Sequence, residues 1–318
     1  MYSKNISNAI EHNRYYFMGM AMILIIMFHL GVVWINTLLL PFRRGFIGVD
    51  IFLFFSGYGC CYSLKNRGWG GYLLKRVLRV CPLFLFLALV ESITVQVCSN
   101  SLTLWDWILN LTTLSYYSLG GFPIDWYLSS LVLLYLLFPM LFYISKRAGV
   151  LFEIFTLLMC GAFLFVFDLN LGYRCIIARL PVFVLGILTW INFQSGKFEF
   201  FWNRIVILST IIWIVGVCLK FDRFLLSTLF TPLLISILSW LLNYFNRVKV
   251  FITLIDLFGK RSLEIYVGNC LCLFAFSYMD FSGMTAVLMY FILTIVFSTF
   301  AYWFNNLSAL LVNKLNRI

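Results

Sequence analysis

Charged side chains are scarce in this chain, because only 11% of its 318 residues are Asp, Glu, Lys or Arg. A soluble domain usually carries roughly 25%. Hydrophobic residues make up 63% of the chain, and a soluble fold has no interior large enough to hide that much apolar surface. The composition therefore excludes an ordinary soluble protein and favours a protein that lies in a lipid bilayer.

Histidine is also scarce, since His12 and His29 are the only two. The nine cysteines are scattered through apolar runs, and none has a zinc-type spacing with a histidine. We therefore predict no metal site and interpret the cysteines as small buried hydrophobic residues. No stretch rich in Pro, Ser or Gly marks a linker, so we predict a single integral-membrane domain over residues 1–318.

Long apolar runs are what the sequence has in abundance. A helix needs roughly 20 mainly apolar residues to cross a bilayer. By this criterion the sequence predicts an all-α, polytopic bundle of about ten transmembrane helices. The predicted spans are 16–40, 46–64, 80–98, 126–145, 150–168, 175–193, 205–220, 224–243, 262–280 and 284–304.

The basic residues predict the orientation of these spans. With ten spans and a cytoplasmic N-terminus, all but six of the 23 basic residues fall in cytoplasmic segments. The exceptions are Arg43, Arg44, Arg174, Arg179, Lys220 and Arg223. Membrane proteins show this bias, so we expect both termini in the cytoplasm. The net charge of +11 is explained in the same way, and we predict no nucleic-acid partner.

His29 is the most informative polar residue, since it lies near the middle of the first predicted span in an apolar run. An ionisable residue at such a depth is costly and is a functional candidate by default. One interpretation is a general base, which needs a partner to orient its ring, usually a carboxylate. The other is a hydrogen bond between helices.

Asp50 is the carboxylate nearest to His29 in the predicted topology, at the start of the second span. It is either the partner of His29 or an acid that interacts favourably with the helix dipole. Arg179 is a possible counter-charge for one of several acids within or beside predicted spans, and the sequence does not pair them. These acids are Glu91, Glu153 and Glu264.

A basic segment precedes the third predicted span. Arg76 and Arg79 are three residues apart and therefore share a helix face, and Lys75 adjoins them. Arginine binds phosphate well through paired hydrogen bonds. The segment is either a cradle for an anionic ligand from the cytoplasm or simply the positive charge expected on that side.

The chain resembles a known family along nearly its whole length. The motifs that carry the resemblance are residues 18–29, 48–58, 75–83, 126–128 with Tyr135 and Pro139, 179–183 with Leu185 and Gly186, and 259–266. They are similar to motifs of the integral-membrane acyltransferase-3 proteins, which include O-acetyltransferases of bacterial surface polysaccharides. The most specific match is 48–58, which resembles the family's second-helix signature, while 18–29 resembles the first-helix motif that ends in its key histidine.

Three positions depart from the family's pattern. Met18 lies eleven residues before His29, where an arginine is usual, and Arg14 is the residue that would take its place one helical turn earlier. Leu131 occupies the position of a frequent glutamate, and Asn269 that of a frequent histidine. Along a continuous helix Arg14 and His29 would lie about 22 Å apart, comparable to the reach of a pantetheine arm.

The resemblance implies an enzyme of the bacterial cytoplasmic membrane that takes an acyl group, usually acetyl, from cytoplasmic acyl-CoA. The acceptor is a hydroxyl of a cell-surface glycan or its lipid-linked precursor. The implied catalytic residues are His29 as general base and Asp50. The implied CoA-binding residues are Arg14, Lys75, Arg76 and Arg79. The implied acceptor-binding residues are Ser56, Trp126 and Tyr266.

Two other functions fit the same sequence. One is a transporter or flippase for a small molecule or an acylated sugar on the same scaffold, for which inverted repeats and interrupted helices are typical. No such repeat is evident by eye, which favours the enzyme. The other is a non-catalytic partner in polysaccharide assembly, which predicts that His29→Ala has no phenotype.

Overall fold

The computed structural model describes residues 2–33, 37–117, 126–245, 248–279 and 282–315, and this part of the chain is helical throughout apart from short turns. The α-helices are α1 (Tyr2–His12), α2 (Arg14–Val33), α3 (Gly48–Ser99), α4 (Leu104–Leu111), α5 (Trp126–Ala148), α6 (Val150–Val166), α7 (Leu171–Gln194), α8 (Phe198–Cys218), α9 (Arg223–Phe245), α10 (Lys249–Lys260), α11 (Ser262–Phe276) and α12 (Gly283–Leu315). Two 3₁₀ helices span Thr37–Ile47 and Leu114–Tyr116.

The predicted polytopic helical bundle is confirmed. Seven helices of the described chain are long and apolar enough to cross a membrane, and two shorter apolar helices, α6 and α11, match the predicted spans 150–168 and 262–280. Residues 34–36 and 280 of the predicted spans lie outside the described residues. Helix α2 is described as far as Val33, and the last four residues of the first predicted span, 37–40, belong to the 3₁₀ helix Thr37–Ile47.

Helix α3 contains two of the predicted spans. Its 52 residues would measure about 78 Å as a straight helix, whereas the hydrocarbon core of a bilayer is about 30 Å thick. Gly68 interrupts the helix with a positive φ of 68°, a conformation that glycine adopts without steric cost. This break between spans 46–64 and 80–98 places the Lys75–Arg79 segment on the second half of α3.

The described chain divides into two compact units. The first consists of residues 1–25, 46–72 and 134–260, and the second of residues 26–45, 73–133 and 261–318. The prediction of a single domain over residues 1–318 stays a prediction.

Close backbone contact between α3 and α7 organises the first unit. A Cβ on Gly57 would lie 2.2 Å from the Phe183 carbonyl oxygen, and a Cβ on Gly186 would lie 2.1 Å from the Phe54 carbonyl oxygen. No side chain fits at either position, so the two glycines allow the helices to touch. Both belong to motifs that the sequence analysis quoted, 48–58 and the segment around Gly186.

The second unit is built around α11 and α12, which pack along each other. A Cβ on Gly268 would lie 2.3 Å from the Ser298 hydroxyl, so the two helices approach closely at this point. Leu30 of α2, Cys272 of α11 and Tyr290 of α12 form one buried apolar cluster in this unit. This packing fixes the residues next to Gly268 relative to the end of α2.

The first helix after the predicted third span is short and capped. Thr103 and Asp106 form a capping box at the start of α4, in which each side chain accepts a hydrogen bond from the other's backbone N–H. Bonds from the Thr103 hydroxyl and backbone hold the pKa of the Asp106 carboxyl below its usual range. Residues 118–125 of the loop that follows lie outside the described residues.

Candidate active site

His29 lies on α2 and forms a side-chain hydrogen bond with Asn269 of α11, through Nδ1 of the imidazole and Oδ1 of the amide. The His29 side chain is partly buried, while Asn269 has no exposed surface. One interpretation of the sequence predicted a carboxylate beside this ring, and the other predicted a hydrogen bond between helices. The structure places a neutral amide there, at the position where the family resemblance expects a histidine.

Asn269 also contacts two hydroxyls of α12. Its Nδ2 donates to Tyr290 Oη and lies 3.4 Å from Thr294 Oγ1. The Tyr290 hydroxyl in turn donates to the Ile26 backbone carbonyl of α2 across 3.0 Å. His29, Asn269, Tyr290 and Thr294 therefore form one connected group, which we call the His29 centre.

Helical spacing explains why these residues meet. Tyr290 and Thr294 are four residues apart and so lie on the same face of α12. Asn269 directly follows Gly268, where α11 and α12 approach closely. Tyr290 and Asn269 are fully buried and Thr294 is 5% exposed, so water does not compete for their hydrogen bonds.

Asp50 belongs to a second group, in the first unit. Its carboxylate accepts a hydrogen bond from the Ser227 hydroxyl and lies 3.4 Å from Thr228 Oγ1. Arg179 Nε lies 3.3 Å from Asp50 Oδ1, and both side chains are buried. We call Asp50, Arg179, Ser227 and Thr228 the Asp50 centre.

Aromatic and backbone contacts complete the environment of Arg179. The guanidinium lies over the Phe224 ring at 4.8 Å and the Phe46 ring at 5.9 Å, and Nη1 donates to the Cys175 carbonyl. A buried ion pair is stable only when further hydrogen bonds and ring contacts replace the lost water. The Asp50 centre supplies these contacts from several helices.

The register of α3 against α7 places this ion pair. Asp50 lies seven residues before Gly57, and Arg179 lies seven residues before Gly186. Seven residues are about two helical turns, so each charge lies on the same face as its glycine. The two charges meet at one level, and the two glycines lie at the helix contact about two turns further along both chains. Helices α3 and α7 therefore run in the same direction through their contact.

The interpretation of Asp50 as the partner of His29 finds no support in these contacts. Asp50 instead pairs with Arg179, for which the sequence analysis had considered Glu91, Glu153 and Glu264. Glu264 accepts a hydrogen bond from Asn305 at 2.8 Å. The catalytic role of Asp50 therefore stays a prediction, and its evident structural role is to compensate the charge of Arg179.

The predicted CoA-binding residues differ in exposure. Lys75 is exposed, Arg79 is partly buried and Arg76 is only 4% exposed, all on the second half of α3. Arg14 is partly buried at the first residue of α2. The 75–79 segment thus contains an exposed cation, Lys75, and a buried one, Arg76. Binding of CoA by these residues stays a prediction.

The three residues predicted to bind the acceptor lie on different helices. Ser56 is buried on α3, and Trp126 is partly buried as the first residue of α5. Tyr266 of α11 is buried and packs edge-on against Tyr127, with ring centroids 4.9 Å apart. Tyr266 lies one turn before Asn269 on α11, so it belongs to the helix that holds the His29 centre.

Sequence reasoning missed several members of both centres. Ser227, Thr228, Tyr290 and Thr294 stand in apolar helices with no motif around them, and nothing in the sequence marks their partners. A signal did exist for Asn269, because it departs from the family's pattern at a position one helical turn beyond Tyr266. A departure in an otherwise matching motif is the feature of the sequence that singles out this residue.

Within the described ranges, no three His, Cys, Asp or Glu side chains come together in a way that would hold a metal ion. Six of the nine cysteines are buried. Among the described residues, the chemistry available at the His29 centre is that of an imidazole with an amide and two hydroxyls behind it.

Comparison with known protein families matches residues 16–304 to an acyltransferase domain, that of the acyltransferase 3 family. No curated protein and no solved structure matches the chain. The family match covers nearly the whole chain and includes every residue of both centres. Together with the apolar helices, it shows that this chain is a multi-pass membrane acyltransferase that belongs to the acyltransferase 3 family.

Proposed function

We propose that the protein is a membrane O-acyltransferase that moves an acetyl or similar acyl group from cytoplasmic acyl-CoA to a hydroxyl of a cell-surface glycan or its lipid-linked precursor. His29 acts as the general base. The observation that carries this proposal is a partly buried histidine inside an apolar helix, whose Nδ1 is held by a fully buried amide.

The proposed reaction needs only one base. His29 Nε2 removes the proton from the acceptor hydroxyl as the hydroxyl oxygen attacks the thioester carbonyl. The carbon–sulfur bond then breaks, the acyl group stays on the acceptor oxygen as an ester, and the departing CoA thiolate takes the proton from the imidazolium. General base catalysis of this kind contributes about 10²- to 10⁴-fold to the rate.

The basic segment of α3 is the proposed site for the CoA phosphates. Arg76 and Arg79 share a helix face, and Lys75 is exposed beside them. Arg76 is mostly withdrawn from water, which strengthens its interaction with an anion, while Arg79 and Lys75 are open to an arriving ligand. Arg14 is a further proposed contact, on the same helix as His29.

The acceptor site is proposed from the remaining motif residues, Ser56, Trp126 and Tyr266. Aromatic rings stack on the apolar faces of sugars, and Trp126 is the more exposed of the two rings, while Tyr266 is buried on α11 close in sequence to Asn269. We place the enzyme in the bacterial cytoplasmic membrane, where acyl-CoA is available from one side and surface glycans are assembled.

The first test is calorimetric titration of the purified protein with acetyl-CoA. We expect saturable binding by the wild-type protein and at least about a tenfold loss in Arg76→Ala/Arg79→Ala, because each arginine makes charge-assisted hydrogen bonds to phosphate. Since Arg76 is buried, Arg79→Ala alone and Arg76→Lys report on binding if the double variant does not fold.

A matched control has the same change in net charge. Lys146→Ala/Arg147→Ala removes two exposed adjacent cations from the end of α5, where Arg147 lies over the Tyr143 ring. It should bind acetyl-CoA as the wild-type protein does. An equal loss in both double variants would mean that the effect is general electrostatics. No binding by folded wild-type protein would contradict the proposal and favour the transporter or the non-catalytic partner.

A further inference from the structure

We propose that Tyr290 and Asn269 are positioning residues that hold His29 in the tautomer with its proton on Nδ1, which leaves the lone pair on Nε2 for the acceptor hydroxyl. The value of this arrangement to catalysis rests on the proposed function. The tautomer itself is a property of the protein that can be measured without any reaction.

The chain of hydrogen bonds begins at the backbone carbonyl of Ile26. A carbonyl oxygen only accepts hydrogen bonds, so the Tyr290 hydroxyl, 3.0 Å away, must donate its proton to it. A phenol has one proton, and this contact uses it. Towards every other neighbour the Tyr290 oxygen can therefore act only as an acceptor.

The orientation of the Asn269 amide follows from this constraint. The atom of Asn269 that faces Tyr290 Oη must be a donor, and only the NH₂ group is one. The same NH₂ group lies 3.4 Å from the Thr294 hydroxyl oxygen. The amide oxygen must then point the other way, towards Nδ1 of His29.

The orientation of the amide determines which nitrogen of His29 is protonated. The amide oxygen of Asn269 only accepts, so Nδ1 of His29 must carry a proton. In a neutral imidazole one nitrogen is protonated and the other has the lone pair, so Nε2 is the basic nitrogen. A turned amide would bring the Asn269 oxygen against a Tyr290 oxygen that has no proton to offer, and complete burial leaves no water to relieve that contact.

A neutral amide gives this centre a different character from one with a carboxylate behind the histidine. The amide fixes the ring and its tautomer without bringing a negative charge into an apolar helix bundle. A buried carboxylate there would need its own counter-charge, as Asp50 needs Arg179 in the first unit.

The tautomer can be read by ¹⁵N NMR, since the two ring nitrogens of a neutral imidazole have distinct shifts. His12 is the only other histidine and its side chain is 69% exposed, so His12→Gln protein labelled with ¹⁵N-histidine gives signals from His29 alone. We expect a neutral ring with the proton on Nδ1. A proton on Nε2 in this protein would overturn the proposal.

Two variants test this relay, the chain of hydrogen bonds from the Ile26 carbonyl through Tyr290 and Asn269 to His29. A third variant controls for the loss of a tyrosine hydroxyl. In Tyr290→Phe the ring packing stays but the amide is free to turn, so we expect a mixture of tautomers. In Asn269→Leu we expect the proton mainly on Nε2, the form that free imidazole side chains prefer. Tyr302→Phe removes a hydroxyl elsewhere on α12, where Tyr302 packs against Arg261, and should leave the tautomer unchanged.

Kinetics then separate positioning from mere packing. With acetyl-CoA and a methyl glycoside as acceptor, we expect kcat to fall about tenfold in Tyr290→Phe and about a hundredfold in Asn269→Leu, with KM for acetyl-CoA unchanged. If kcat falls while the tautomer stays on Nδ1 in both variants, the relay is overturned and the residues are structural. If the tautomer shifts in the variants as expected but the wild-type protein does not transfer acyl groups, the positioning roles of Tyr290 and Asn269 stand and the proposed function fails.

Discussion

The two polar centres of the protein place polar groups inside an apolar helix bundle in different ways. The Asp50 centre buries a full positive and a full negative charge, and it compensates them with the Ser227 hydroxyl, a backbone carbonyl and two aromatic rings. The His29 centre contains no opposed charges, and its histidine is only partly buried. The charged side chains of the first are buried, whereas the histidine of the second is only partly buried.

This difference favours a structural role for the Asp50 centre and a chemical role for the His29 centre. A buried ion pair costs much to assemble and is lost when either partner is removed, so it specifies one arrangement of helices. A neutral hydrogen-bonded relay that ends in a partly exposed imidazole can change its protonation during a reaction. We infer that the Asp50 centre holds α3, α7 and α9 together, whereas the His29 centre carries out the reaction.

The largest expected effect separates the centres by activity. His29→Gln removes the base and should reduce acyl transfer by about 10²- to 10⁴-fold. The free energy of unfolding should change little, because the side chain is only partly buried. The measurement is release of free CoA from acetyl-CoA with a methyl glycoside as acceptor, alongside unfolding in a denaturing detergent.

His12→Gln makes the same substitution at an exposed histidine and should retain full activity. Activity near the wild-type level in His29→Gln would contradict the assignment of the base. It would also support the interpretation of the chain as a non-catalytic partner.

The next largest effect is expected on stability, with little change in activity. Arg179→Met leaves the Asp50 carboxylate buried without its counter-charge, which should cost about 3–5 kcal/mol of unfolding free energy. Replacing both partners, in Asp50→Leu/Arg179→Met, should recover much of that loss, because no unpaired charge remains. Unfolding of the two single variants and the double variant measures the coupling.

Additive losses in this double-mutant cycle would show that the ion pair does not hold the centre together. Acyl transfer, measured on whatever folded fraction remains, should stay within about tenfold of wild type. A specific loss of activity in folded Asp50→Leu/Arg179→Met protein would instead revive the predicted catalytic role of Asp50.

The smallest effect tests the helix contact that aligns the ion pair. Gly57→Ala would place a Cβ 2.2 Å from the Phe183 carbonyl oxygen and should force α3 away from α7, at a cost of about 1–3 kcal/mol. Gly161→Ala on α6 is the control, because its Cβ would meet only Leu225 Cδ2 at an ordinary 3.5 Å. Alanine favours the helix, so Gly161→Ala should be neutral or slightly stabilising.

Equal unfolding midpoints for Gly57→Ala and Gly161→Ala would contradict a close α3–α7 contact. A loss of acyl transfer in folded Gly57→Ala protein would show that this contact also shapes the reaction site. Either result would change the division of roles between the two centres.

The sequence predicted the fold class well because transmembrane helices are specified locally. About twenty apolar residues must form a helix in lipid, since no water is present to satisfy an open backbone. Even so, the first predicted span included residues 37–40, which belong to the 3₁₀ helix, because residues 38–40 are all leucine. Hydropathy measures how favourably side chains transfer into lipid, and it does not distinguish an α-helix from a 3₁₀ helix.

The polar partners could be predicted only in part. His29 stood out because its neighbours in sequence are apolar, and Arg179 stood out because a cation in a span requires compensation. Their partners lie far away in sequence, since Asp50 is 129 residues from Arg179 and Asn269 is 240 residues from His29. No periodicity within one helix specifies which helix will pack against it.

The sequence by itself determined that this chain is a helical membrane protein, which motifs carry its family membership and which side chains are too polar for lipid. Only the tertiary structure decided that Asp50 compensates Arg179 and that an asparagine holds His29. The physical reason is that burial in lipid depends on each residue's own side chain, whereas a hydrogen bond or an ion pair depends on two helices meeting in one register. That register is set by the glycine contacts and side-chain packing of the folded chain.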